Sequence, residues 1–112
     1  MFAISPALGQ AFDERSFADV TIPVELLAGD ADRIVPLATN VRHVATLLPS
    51  AQLTLVPEAG HYTFLSACAP AMISYMPQLC TDNPGVDRTA VHAVVIRRAR
   101  AFFASALPAG QR

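Results

Sequence analysis

Between Val24 and His61 the hydrophobic period of the chain switches twice, and few folds accommodate the order that results. Val24-Glu25-Leu26-Leu27-Ala28 is a short, nearly continuous apolar run stopped by Gly29, the pattern of a strand covered on both faces. Pro23 stands at its first position, where no ladder donor is lost. Apolar residues then recur at Leu37, Val41, Val44, Ala45 and Leu48, one face of a helix, with Thr39, Asn40, Arg42, His43 and Thr46 mostly on the other. Pro36 suits the first turn of that helix and Pro49 its stop. Gln52-Leu53-Thr54-Leu55-Val56 alternates with the period of a strand and ends at Pro57. Strand, helix and strand in this order make a βαβ unit, whose crossover is right-handed in ~98% of cases and whose strands are parallel. Both post-strand loops must then open at the carboxyl edge of the sheet, the side where open α/β folds bind ligands. The first loop carries Asp30 and Asp32 and the second carries His61 directly after Gly60. An acid and a base therefore share one rim.

The flanks read less sharply. Met1 to Ile4 fits the tail of a strand cut off at its start, and Ser5-Pro6 ends it. Gln10 to Ala18 mixes Phe12 and Phe17 with charged residues and predicts a connector with one helical turn. Ser66 to Pro84 is interrupted by Pro70 and Pro77, so short helical turns or an irregular excursion are expected rather than one long helix. Asp87 is placed to cap a last helix whose face runs through Val91, Val94, Val95, Ala99, Phe102, Phe103 and Leu107 to Pro108. Arg97, Arg98 and Arg100 fall in its second half, where cations suit the helix dipole, and read as a solvated face. His43 and His92 read as solvated too.

Composition narrows the classes. At 112 residues the chain has room for one domain at most. It is 53% apolar and 15% charged, below the usual quarter or so, which marks core-rich material. A net charge of -1 and no basic stripe interleaved with aromatics argue against nucleic acid or an anionic membrane as the partner. No apolar stretch approaches the ~18 residues of a spanning helix, and MFAISPALG lacks the charged start of a signal peptide. The two cysteines form no Cys-x-x-Cys and have no paired histidines, so no metal or other cofactor is expected.

Gly29-Asp30-Ala31-Asp32-Arg33-Ile34-Val35-Pro36 followed by Gly60-His61 resembles the end of an α/β-hydrolase: the acid turn after the penultimate strand and the histidine loop after the last. The version Gly60-His61-Tyr62-Thr63-Phe64-Leu65, with Cys68 and Cys80 downstream, is most similar to the dienelactone-hydrolase-like predicted esterases. The resemblance covers nearly the whole chain. It implies a partial α/β-hydrolase fold, a parallel βαβ unit with a C-terminal helix that amounts to a truncated three-layer sandwich, with residues 1–112 as the C-terminal part of a single domain. It also implies catalytic roles for Asp32 and His61. A serine or cysteine hydrolase needs a base to take the nucleophile's proton and an anion to fix the imidazole's tautomer. The order, acid before histidine, is that of the fold. Taken singly, Asp32 would be an ordinary turn carboxylate and His61 a loop histidine; their joint placement favours the catalytic pair. Asp30 is the rival acid, but the family pattern puts the acid three residues after that glycine, leaving Asp30 to accept backbone N–H bonds in the turn. Tyr62, Phe64 and Leu65 are expected in the core or the pocket wall.

The nucleophile of such enzymes sits in a Gly-x-Ser-x-Gly elbow. Gly9, Gly29, Gly60, Gly85 and Gly110 offer no pair at that spacing, so none of Ser5, Ser16, Ser50, Ser66, Ser74 and Ser105 has an elbow, and neither Cys68 nor Cys80 does. The expectation is the acid-and-base segment of a serine or cysteine hydrolase acting on a small ester or lactone, inactive alone, from which the nucleophile-bearing N-terminal part is absent. The other expectation is a non-catalytic α/β module that associates through an exposed sheet edge. Cys68 and Cys80 could pair, which would suit an exported or periplasmic parent and contribute ~3 kcal/mol, or remain two buried thiols of a cytoplasmic one.

Overall fold

The apolar run after Pro23 becomes the centre of a three-stranded parallel sheet. In the computed structural model, which describes residues 1–107, strand β2 (Glu25–Gly29) lies between β1 (Phe2–Ile4) and β3 (Gln52–Val56). Both pairings are parallel, with Ile4 opposite Leu27 and Gly29 opposite Val56. All five residues of β2 are buried, as a strand covered on both faces requires.

Alternation along β2 divides the core in two. Val24, Leu26 and Ala28 face Val41, Val44 and Leu48, which helix α1 (Val41–Leu47) and its C-cap supply. Leu27 faces the other way and packs with Val56, Ala59 and Val91. Val91 belongs to the last helix, α4 (Arg88–Ala106). Helices thus cover both faces, and the chain is α/β in class. Leu26 and Leu27 are almost fully buried, and each contributes about 1.5–3 kcal/mol by leaving water.

Glu25 is the exception in this apolar strand. Its side chain is 4% exposed, and Oε1 accepts from Arg98 Nε at 2.8 Å and from Thr54 Oγ1 at 3.3 Å. Arg98 also donates to Thr54 Oγ1 at 2.6 Å. Arg98 therefore does not belong to the solvated face expected of it; it folds over the sheet because a buried carboxylate needs a cation. His43 differs likewise. Its Nε2–H donates to the Phe12 carbonyl at 3.0 Å and fastens the connector to α1.

The helix expected from Leu37 to Leu48 is broken at Asn40. A 3-10 turn, Leu37–Thr39, precedes α1, and between them Asn40 adopts φ -123° and ψ -99°. Its side chain points inward rather than onto the polar face: Oδ1 accepts from Gly9 N at 3.0 Å and Nδ2 donates to the Pro36 carbonyl at 2.9 Å. Gly9 must be glycine for this contact, since a Cβ there would lie 2.5 Å from Asn40 Cα.

The connector folds as two 3-10 turns, Gly9–Ala11 and Glu14–Phe17, the second capped by Asp13. The excursion after the histidine loop contains two short helices, α2 (Pro70–Tyr75) and α3 (Pro77–Cys80), each opened by its proline. A Cys68–Cys80 disulfide closes it, with the Cα atoms 5.6 Å apart. Asp87 caps α4 by accepting from the amides of Thr89 and Ala90. Phe102 and Phe103 lean toward Phe2 of β1, with ring centres 5.8 and 6.4 Å away. The expected stop at Pro108 lies outside the described residues. No described helix is long and apolar enough to cross a membrane.

Candidate functional site

The loops leaving β2 and β3 meet because their backbones touch. Gly29 ends β2 against Ala59, and the Ala31 amide donates to the Ala59 carbonyl at 3.2 Å. Asp30 N donates to the Val56 carbonyl, and Asp30 Oδ1 accepts from Glu58 N at 2.6 Å. Asp30 thus ties the acid loop to the histidine loop; the N–H it accepts comes from the neighbouring loop, not from its own turn. Glu58 takes a left-handed backbone, φ 56°, and its carbonyl accepts from Asn83 Nδ2 at 2.8 Å.

Asp32 and His61 are brought together. Asp32 Oδ1 accepts from the amides of Ile34 and Val35 at 3.0 and 2.7 Å, an arrangement that fixes the carboxylate within its own turn. Oδ2 accepts from His61 Nδ1 at 2.8 Å. The Asp32 side chain is 1% exposed and that of His61 is 25% exposed. With a carboxylate on the Nδ1 side, the neutral imidazole carries its proton there, and the lone pair of Nε2 is left open. Among the described residues Nε2 has no hydrogen-bond partner.

A cleft of about 190 Å³ opens beside the imidazole, walled by Arg33, Tyr62, Gln78 and Asn83 among others. Tyr62 is thus a pocket wall as expected, Phe64 joins the core below the sheet, and Leu65 is exposed. Among the described residues no serine or cysteine lines this cleft. Ser5, at the end of β1 with φ 43°, is buried, and its hydroxyl makes no hydrogen bond among the described residues. Both cysteines are consumed by the disulfide. Among the described residues no three His, Cys, Asp or Glu side chains are grouped to hold a metal.

Behind the histidine lies a polar cluster that sequence reasoning missed. His61 opens a 3-10 turn, His61–Phe64. Within it Thr63 is almost fully buried. Its hydroxyl accepts from Gly60 N at 3.0 Å and donates to Asp82 Oδ1 at 2.7 Å, while its carbonyl accepts from His92 Nε2 at 3.0 Å. His92 is therefore engaged rather than solvated. Arg88 grips Asp82 with Nε at 2.9 Å and one terminal nitrogen at 3.0 Å, and reaches the carbonyls of Ser66 and Leu79. Burial raises the Asp82 carboxyl, but the bonds from Arg88 and Thr63 and the charge of Arg88 outweigh it and hold the group below its ordinary value. Nothing local in the sequence announces this cluster. The cysteine pair was the one usable signal, because the segment it closes ends two residues before Asp82. No protein-family model matches the chain, and no curated protein or solved structure does.

Proposed function

We propose that Asp32 and His61 are the acid and base of a serine or cysteine hydrolase of the α/β-hydrolase type, similar to dienelactone-hydrolase-like esterases and acting on ester or lactone bonds. The observation that carries this reading is the 2.8 Å bond from His61 Nδ1 to a buried carboxylate whose other oxygen is held by two amides. Such a pairing fixes the tautomer and leaves Nε2 as the atom that accepts a proton. In this reading a nucleophile on a segment that this sequence does not carry gives its proton to Nε2 as it attacks the acyl carbon. The same proton then passes to the departing alcohol, and a water activated by Nε2 releases the acid. The carboxylate stabilises the imidazolium formed in between.

Turnover of short acyl esters and lactones tests this, measured on the chain alone and on a gene product that includes a Gly-x-Ser-x-Gly or Gly-x-Cys-x-Gly segment. The chain alone is expected to show no efficient acyl transfer. The longer product is expected to turn over and to lose that turnover on His61→Ala without loss of fold; undiminished turnover in the variant refutes the role.

A second reading, a non-catalytic module that associates with itself through its sheet edge, draws on the one-sided pairing of β1 and on the exposed side chains of Ile4, Ile96 and Phe103. A discrete dimer by sedimentation favours it. A monomer counts against it.

A further inference from the structure

His61 sits in a turn of four residues, too short to hold its own shape, yet its ring must present Nδ1 to Asp32 within hydrogen-bonding distance. Asp32 is anchored in the opposite loop and can fix the imidazole only if the turn arrives at the correct height and angle. Something must therefore hold the turn from behind. Thr63 does so at three points: its hydroxyl meets both Gly60 N and Asp82, and its carbonyl meets His92. Asp82 is held in turn by Arg88, a buried residue at the start of α4.

We propose that Thr63, Asp82 and Arg88 are positioning residues for His61, a relay that transfers the rigidity of α4 to the imidazole. The relay rests on the acid-and-base reading above and extends it to residues that make no bond to the reacting nitrogen, although Thr63 and Asp82 also border the cleft beside the imidazole. Each link is buried or partly buried and each is a hydrogen bond of 3.0 Å or less. Three of these four bonds end on the Asp82 carboxylate, and an ionised partner makes them stronger and more directional than neutral ones. Arg88 uses the rest of its fork on the carbonyls of Ser66 and Leu79, which flank the disulfide. The guanidinium thus also fixes the segment on which Asp82 rides. A hydroxyl is required at the pivot because one oxygen must both accept from Gly60 N and donate to Asp82.

The test is proton NMR of the chain itself, reading the low-field resonance of an Nδ1–H held by a carboxylate and its exchange with water, with His61→Ala to assign the signal. Thr63→Val keeps the shape and removes the hydroxyl. The expected result is loss of the resonance, or exchange at least ~10-fold faster, with far-ultraviolet dichroism unchanged, and Thr63→Ser restores the wild-type signal. Should Thr63→Val fail to fold, Asp82→Asn in the same assay decides, since its carboxamide weakens the grip of Arg88 and is expected to speed exchange. A resonance that persists with wild-type exchange in the folded variant overturns the relay alone. Absence of the resonance from the wild-type chain overturns the acid-and-base reading and the relay with it.

Discussion

Replacing Gly29 with alanine asks how tightly the acid and histidine loops are clasped. A Cβ at this position would stand 2.0 Å from the Ala59 carbonyl oxygen and 2.6 Å from its carbon, where ordinary contact begins at 3.4 Å. The two main chains would have to part by on the order of 1 Å to restore contact distances. The obstacle is backbone and cannot rotate away. Parting sacrifices the Ala31 to Ala59 hydrogen bond, worth ~1 kcal/mol. The remaining strain of overpacking adds roughly 1–3 kcal/mol, and the reduced freedom of the unfolded chain offsets about 0.4–1 kcal/mol. We predict a net loss of roughly 1–3.5 kcal/mol, a drop in Tm of about 5–15 °C for a chain of this size. The 2.8 Å bond between Asp32 and His61 cannot span the wider gap, so its low-field proton resonance should vanish as well. Urea and thermal melts give the first number and NMR the second. Gly60→Ala is the control: its Cβ would meet only Thr63 Oγ1 at 3.9 Å, and stability should stay within ~0.5 kcal/mol. If Gly29→Ala melts with the wild type and keeps the resonance, the clasp does not hold the pair.

Other perturbations follow from the same contacts. Arg98→Met leaves Glu25 buried with only the Thr54 hydroxyl. Because Arg98 is itself 42% exposed, the cost should be about 2 kcal/mol, below the ~3–5 kcal/mol of a fully buried pair. Pairing that change with Glu25→Leu should recover most of the loss in urea denaturation, and no recovery would rule out an unpaired carboxylate as the cause. Asp82 is held below its ordinary 3.8, so its ionised form stabilises the fold. The stability gap between wild type and Asp82→Asn should be full above about pH 4 and shrink as pH falls from there through the depressed folded value. A gap that widens in acid would reverse the assignment. Reduction of Cys68–Cys80 should lower Tm, since a loop of this size contributes ~3 kcal/mol, and melts with and without reductant measure it.

The parallel α/β unit was legible because a strand buried on both faces leaves a continuous apolar run, and the switch to a helical period and back leaves one economical topology. That the acid loop and the histidine loop meet followed from chain order, since both leave parallel neighbours at the same edge; that Asp32 and not Asp30 faces His61 followed from the family resemblance. What escaped were contacts between side chains far apart in sequence. Asn40 looks the same on a helical wheel whether it faces water or accepts from Gly9 N. Arg98 looks the same whether solvated or folded onto Glu25. A lone carboxylate inside a doubly covered strand was a signal, because such a group demands a cation from the helix above it. Thr63, Asp82 and Arg88 offered no such hint, each being an ordinary polar residue until the disulfide segment folds over it.

The left-handed turn at Glu58 has a consequence for anything done near the histidine. A bulky residue in that backbone region sits roughly 1–2 kcal/mol uphill, and two side chains keep it there, Asp30 by the amide and Asn83 by the carbonyl. Both are rooted in loops other than its own. Loosening either grip is expected to let the peptide relax toward an extended shape, a change that the imidazole resonances would register three residues later. The hinge of His61 is therefore cocked from outside, and a change at Asp30 or Asn83, neither of which touches the ring, would be felt at Nε2.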